Sequence, residues 1–371
     1  MNWYRTTPVI SDDPEKNNFH FIRFVAASLV VVGHSYSLLN KPDLIDHYSR
    51  GLFPSGQIGV YAFFIISGYL VTQSLLRSRS YQSFTRNRFL RIFPGLAVVL
   101  LITVFVIGAL DTQLSFYEYF TNRATYQYFD NIKLFPQTTP GLPGVFTSNL
   151  HQGANGTLWT LAYEVMCYGL LVVAHRLGLL QRRYLTLVLF GLLWISAKWW
   201  VDGTGRGLII PLIKIDVHAL LNFGTYFAAG VVLFLFRDKI SFHWSLLLLG
   251  WLLWMGLFLL PFTSSRVGPV QLHWFWFLAI PYLLMYVSFR PGMLNRFGRL
   301  GDVSYGLYIY GLPIQQLIIS YFHNQLSPSQ LTIYTFALLL PISWLSWHLV
   351  EKSALRWKKQ QKVSVSPALI S

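Results

Sequence analysis

Residues 19–39, FHFIRFVAASLVVVGHSYSLL, are long and apolar enough to cross a bilayer, yet they contain Arg23 and His34. Hydrocarbon leaves a chain few ways to fold, because every backbone polar group must be satisfied within the segment, and that selects a helix. An ionisable side chain at such a depth costs at least about 2.5 kcal/mol, so each one is a functional candidate by default. Arg23 and His34 are eleven residues apart. At about 100° and about 1.5 Å per residue, that spacing puts them on nearly the same helix face, roughly 16 Å apart along the axis.

The pattern recurs. Apolar segments predict ten spans, at 19–39, 56–76, 89–110, 157–175, 184–201, 218–236, 243–261, 270–289, 303–322 and 330–350. With 54% hydrophobic and only 12% charged residues, the chain falls in the class of multi-span membrane proteins. The expected architecture is all-α: a ten-transmembrane-helix bundle, with residues 1–18 a cytoplasmic segment, 19–350 the membrane domain and 351–371 a basic cytoplasmic tail. Residues 1–18 hold Asp12, Asp13 and Glu15 and no basic cluster, so they do not read as a signal peptide. Charge supports the orientation. With the N-terminus inside, twenty of the 29 Lys and Arg fall on inside segments and eight on outside ones. The net charge of +15 then reads as topology, and the chain lacks a motif that would read nucleic acid.

Of ten histidines only His34 lies well inside a span, and of fourteen acids only Glu164 does. So sparse a set suits a compact catalytic site better than a proton relay. Span 1 runs outward and span 4 inward, so His34 and Glu164 both lie some 8–10 Å below the outer surface and are expected to meet. Tyr168 shares a helix face with Glu164 at i,i+4. The outside loop 111–156 contains LPGVFTSNLHQGANGT, which reads as ordered turns over an acceptor site or as a short interfacial helix. Asn155-Gly-Thr matches a glycosylation sequon, a pattern too common to weigh. Cys167, the only cysteine, reads as a small core residue.

Arg88 and Arg91 lie three apart in RSRSYQSFTRNRFLRIFP, where span 3 begins. On charge alone they read as inside-loop topology. As guanidinium forks on one helical face they also suit phosphate oxygens. Arg23 lies toward the same end, and three converging guanidiniums fit a polyanionic cytoplasmic cofactor such as coenzyme A. No metal is expected. Trp159 and Tyr308 are candidate substrate contacts, with packing and interhelical hydrogen bonding the plainer reading of Tyr308 and its neighbours Ser304, Tyr305 and Tyr310.

Arg23-x10-His34, GVYAFFIISGYLVT (59–72), RNRFLRIFP (86–94), NGTLWTLAYEVMCY (155–168) and SYGLYIYGLPIQQ (304–316) together resemble the acyltransferase-3 family of membrane O-acyltransferases. The resemblance covers about 19–350 in order. It implies a ten-span helical domain that uses cytoplasmic acyl-CoA to acylate sugars, commonly extracytoplasmic glycans. Arg23, His34, Arg88, Arg91 and Glu164 would be its essential residues. Three positions depart from the family pattern: His20 and Tyr61 stand where members often have Asp, and Gly311 where many have His.

The residues support that chemistry. Acyl transfer from a thioester to a hydroxyl needs a base, and a neutral imidazole at His34 serves. Glu164 would orient it and balance the charge that appears, while Arg23, Arg88 and Arg91 hold the phosphates of acetyl-CoA or another acyl-CoA. A covalent route through Ser35 or Ser67 is a further option. The expectation is thus an O-acetyltransferase of the bacterial inner membrane, with a carbohydrate acceptor (O-antigen, exopolysaccharide or similar glycan), the lipid bilayer as its other partner and no nucleic acid. A transporter or flippase for a lipid-linked or anionic solute is the alternative. Acceptor, acylated position and oligomeric state stay open.

Overall fold

A computed structural model describes residues 17–49, 51, 53–134, 141–203, 209–210, 215–259, 267–290 and 292–363. The expected apolar segments are helical: α1 Phe19–Ser37, α2 Ser55–Arg77, α3 Tyr81–Ile102, α4 Leu158–Arg176, α5 Arg183–Gly203, α6 Val217–Leu235, α7 Trp244–Leu259, α8 Val267–Phe289, α9 Ser304–Tyr321 and α10 Pro328–Ser346. A last helix, α11, covers Lys352–Val363. Strand is confined, among the described residues, to a two-residue antiparallel pairing of Ile209–Ile210 with Ile215–Asp216.

Among the described residues six helices are long and apolar enough to cross a membrane: α1, α2, α3 continued to Asp111, α4, α6, and α10 continued to Trp357. Helices α5, α7 and α8 carry shorter apolar runs, Arg183–Ala197, Trp244–Gly256 and Ala279–Phe289. Helix α9 differs in kind. Nearly all of it is buried, including Ser304, Tyr305, Tyr308, Tyr310, Gln315 and Gln316. A helix surrounded by protein is freed from matching lipid, so it can carry polar groups that its neighbours satisfy.

The chain divides into two compact units that are interleaved along the sequence. The first holds the described residues up to Gly33, with Pro42–Leu76 and Thr160–Leu300. The second holds His34–Lys41, Arg77–Trp159 and the described residues from Gly301.

In the first unit, α1 starts from Asn18, whose backbone N–H donates to Ser288 O at 2.8 Å and whose Nδ2 donates to Val287 O at 2.7 Å and Arg290 O at 2.8 Å. The start of α1 is thereby tied to the end of α8. Asp43 caps α2, accepting from the Ser55 N–H at 2.7 Å and the Ser55 hydroxyl at 2.8 Å. Helices α2 and α6 touch backbone to backbone. A Cβ on Gly68 would stand 2.0 Å from Phe227 O, and one on Gly230 would stand 2.1 Å from Ile65 O. Only glycine permits that approach.

In the second unit, α3 begins at Tyr81, eight residues before the expected span. Ser80 accepts from the Ser83 N–H at 3.1 Å and starts the helix there. Arg86, Arg88 and Arg91 therefore lie on a helix ahead of its apolar part. Thr103–Gly108 forms a π-helical turn, and the buried Tyr119 hydroxyl donates to Val104 O at 2.9 Å beside it. Burial pushes the Tyr119 phenol up to about 12. The loop after Asp111 is ordered turns and short helices, Phe116–Thr121 and Arg123–Gln127 among them, as the composition suggested. Pro313 has no N–H to give Ile309 O, and Asn155 Nδ2 fills that place at 2.9 Å. The sequon asparagine is thus a buried helix-repair group (2% exposed), its amide committed to protein.

Candidate active site

Glu164 lies on α4, in the first unit. Its Oε1 accepts from the Ser67 hydroxyl of α2 and from the Tyr168 hydroxyl, one turn along α4, at 2.6 Å. The two hydroxyls stand 3.3 Å from each other. Glu164 makes no other hydrogen bond among the described residues, and it is half-buried. The i,i+4 pairing of Glu164 with Tyr168 was legible from spacing; the third member, Ser67, comes from a different helix. Also on α2, Tyr61 accepts hydrogen bonds from Gln57 and from Asn222 Nδ2 at 2.8 Å, with its ring stacked 3.8 Å from Tyr226. The first unit so meets the position where Asp is usual with a neutral network.

His34 lies in the second unit, in the last turn of α1. Its ring is half-buried and makes no hydrogen bond among the described residues. The surroundings are heavily pinned. Gln315 Nε2 donates to the buried Ser35 hydroxyl at 2.8 Å. Asn40 Oδ1 meets His151 Nε2 at 3.0 Å. Gln316 Nε2 donates to His151 O at 2.7 Å and Gly153 O at 2.8 Å, and Asn149 Nδ2 donates to Gln316 O and Oε1, both at 2.9 Å. Ser35 is tied to α9 and fully buried, which disfavours it as a nucleophile.

The arginines divide. Arg23 is half-buried on α1 in the first unit, and Arg88 and Arg91 are on α3 in the second. Arg88 lies 6.0 Å from the Phe84 ring centroid. Arg91 is ion-paired: its Nη2 bonds Asp302 Oδ2, and its Nη1 stands 3.7 Å from Glu351 Oε2. Its guanidinium also lies 5.9 Å from the Tyr305 ring and 5.7 Å from the Trp347 ring, within cation–π reach. Ser304 donates to Asp302 Oδ1, and Ser346 donates to Glu351 Oε1 at 3.2 Å. Two carboxylates thus balance one guanidinium, and Arg91 offers a phosphate less positive charge than its sequence position suggests.

Asp302 and Glu351, the partners of Arg91, are residues that sequence reasoning missed. Asp302 stands just ahead of the span expected at 303–322 and Glu351 opens the basic tail, so neither is distinguished by position. The one available signal was that Glu351 is the only acid after Asp302, amid Lys and Arg. Trp159 is 41% exposed, open to contact from outside the second unit's core. Tyr308 is buried and donates to Thr157 O at 3.4 Å, just ahead of α4. Among the described residues no group of three His, Cys, Asp or Glu is close enough to hold a metal.

The chain matches a family model described as an acyltransferase domain over residues 16–348. It is 30% identical over 344 residues to an O-acetyl transferase of Shigella phage Sf6, covering 92% of this chain and 96% of that protein. It is 28% identical over 364 residues to Nodulation protein 10 of Rhizobium leguminosarum bv. viciae, covering 92% of this chain and 94% of that one. No solved structure matches it.

Proposed function

Since this chain belongs to the acyltransferase-3 family, we propose that it is a membrane O-acyltransferase moving an acetyl group from cytoplasmic acetyl-CoA to a hydroxyl of a cell-surface carbohydrate. The observation that carries this reading is the end-to-end similarity to an O-acetyl transferase, over 96% of that protein. The carbohydrate is an O-antigen, exopolysaccharide or similar glycan. The protein sits in the bacterial inner membrane with ten spans and both termini cytoplasmic. Residues 19–350 are the working domain. The four helices beyond the six apolar ones complete the count, and the 20-to-8 bias of basic residues supports the orientation.

In this reading His34 is the base. Among the described residues its ring has no hydrogen-bond partner to displace, so one nitrogen can accept the acceptor hydroxyl's proton. The freed oxygen attacks the thioester carbonyl, the C–S bond breaks, and the departing thiolate takes the proton from the imidazolium. Glu164 supplies the negative charge that balances the imidazolium. Arg23, Arg88 and Arg91 are the residues assigned to the phosphates of acetyl-CoA, Arg91 being also balanced by Asp302 and Glu351. Trp159 offers its exposed ring to the sugar.

The test is the ester-linked acetate on purified surface polysaccharide, read by proton NMR before and after mild alkali. Cells with the intact gene, cells lacking it and cells carrying His34→Ala at equal protein level are compared. Acetate should vanish in the latter two. Acetate lost in the deletion but kept in His34→Ala would remove His34 as the base. Acetate unchanged in both would remove this acceptor.

A further inference from the structure

We infer that Ser67 and Tyr168 are positioning residues for Glu164: together they hold Oε1 and leave Oε2 as the oxygen offered to the reaction. The inference rests on the role proposed for Glu164 above. Both hydroxyl protons go to one oxygen, Ser67 from α2 and Tyr168 from α4 at 2.6 Å. A carboxylate gripped twice on one side cannot rotate without losing both charge-assisted bonds. Each donor is itself anchored. Ser67 precedes Gly68, whose helix lies against the Phe227 carbonyl, and the Tyr168 ring packs 6.2 Å from Phe227. Three helices, α2, α4 and α6, therefore fix one oxygen atom. A purely structural tie between α2 and α4 would need no charge, since hydroxyl to hydroxyl or amide to hydroxyl holds helices equally well.

The variants separate these roles. Glu164→Gln keeps an acceptor oxygen for both hydroxyls but loses the charge, so it should fold with unchanged melting and release no thiol from acetyl-CoA. Assays use the purified full-length protein in detergent, with free thiol as the readout. Ser67→Ala and Tyr168→Phe should each lower kcat roughly 10-fold with KM for acetyl-CoA within about two-fold, as expected for loss of one orienting hydrogen bond. Ser67→Thr, which keeps the hydroxyl, should restore the rate. Turnover of Ser67→Ala and Tyr168→Phe equal to wild type, beside a dead Glu164→Gln, overturns the inference while leaving Glu164 in place. An acetyl adduct on Ser67 in peptide mass spectra also overturns it, because Ser67 would then be a nucleophile. Full turnover in Glu164→Gln removes the role of Glu164 itself, and this inference with it. If Ser67→Ala fails to fold, Tyr168→Phe carries the test.

Discussion

Glu164 and Arg91 are both charged groups within the protein, and their surroundings are opposite. Glu164 in the first unit accepts from neutral hydroxyls, with no cation among its hydrogen-bond partners in the described residues. Arg91 in the second unit is solvated by two carboxylates, so its positive charge is cancelled. A charge held by dipoles remains available to an imidazolium or another cation. A charge held by opposite charges is mainly a tie among the elements that carry them, here α3, the start of α9 and the start of α11. The difference teaches that an essential-looking buried charge can serve chemistry or cohesion, and that only the identity of its partners says which.

The largest expected effect breaks the tie. Removing one member of a buried ion pair strands the others and costs about 3–5 kcal/mol. Glu351→Ala and Arg91→Ala should therefore lower the melting temperature in detergent far more than any single change around Glu164. Melting of Glu351→Ala no lower than that of Ser67→Ala would collapse the contrast between the two sites.

A smaller effect is expected at the contact behind Ser67. In Gly68→Ala the new methyl would stand 2.0 Å from Phe227 O, and α2 must move away from α6. Such overpacking costs about 1–3 kcal/mol. Because Ser67 moves with α2, thiol release should fall together with stability. An unchanged melting curve with unchanged turnover would mean that this approach does not set the position of Ser67.

The smallest effect sharpens the neutral-donor side of the comparison, in a group outside the spans. Tyr119→Phe deletes one buried hydroxyl donor to Val104 O and should cost about 0.5–1.5 kcal/mol. The phenol also titrates late, near 12 rather than its usual 10.0, because burial disfavours the phenolate. A raised folded pKa means that its contribution is intact below about pH 10 and is lost as pH rises toward 12. Wild type should lose stability across that window more steeply than Tyr119→Phe, read by melting at stepped pH.

The helices were legible because bilayer-length apolar runs are written in the sequence. Arg23, His34 and Glu164 stood out because ionisable groups are rare in such runs. Less was legible at the edges. The start of α3 rests on the Ser80 cap, a single hydroxyl ahead of the apolar run. The extension of α10 through Trp347–Glu351 into α11 escaped notice because that segment is charged. Asp302 and Glu351 look like ordinary span-end and tail residues until α3 brings Arg91 to them.

By itself, the sequence determined the class of the molecule, the place of its helices and which ionisable residues lie within them, because hydropathy and spacing are local properties of the chain. The tertiary structure alone decided which partners those residues have. Ser67 reaches Glu164 from 97 positions away, and Asp302 reaches Arg91 from 211. Hydrogen bonds and ion pairs between distant helices depend on how the helices pack, and no local pattern records that.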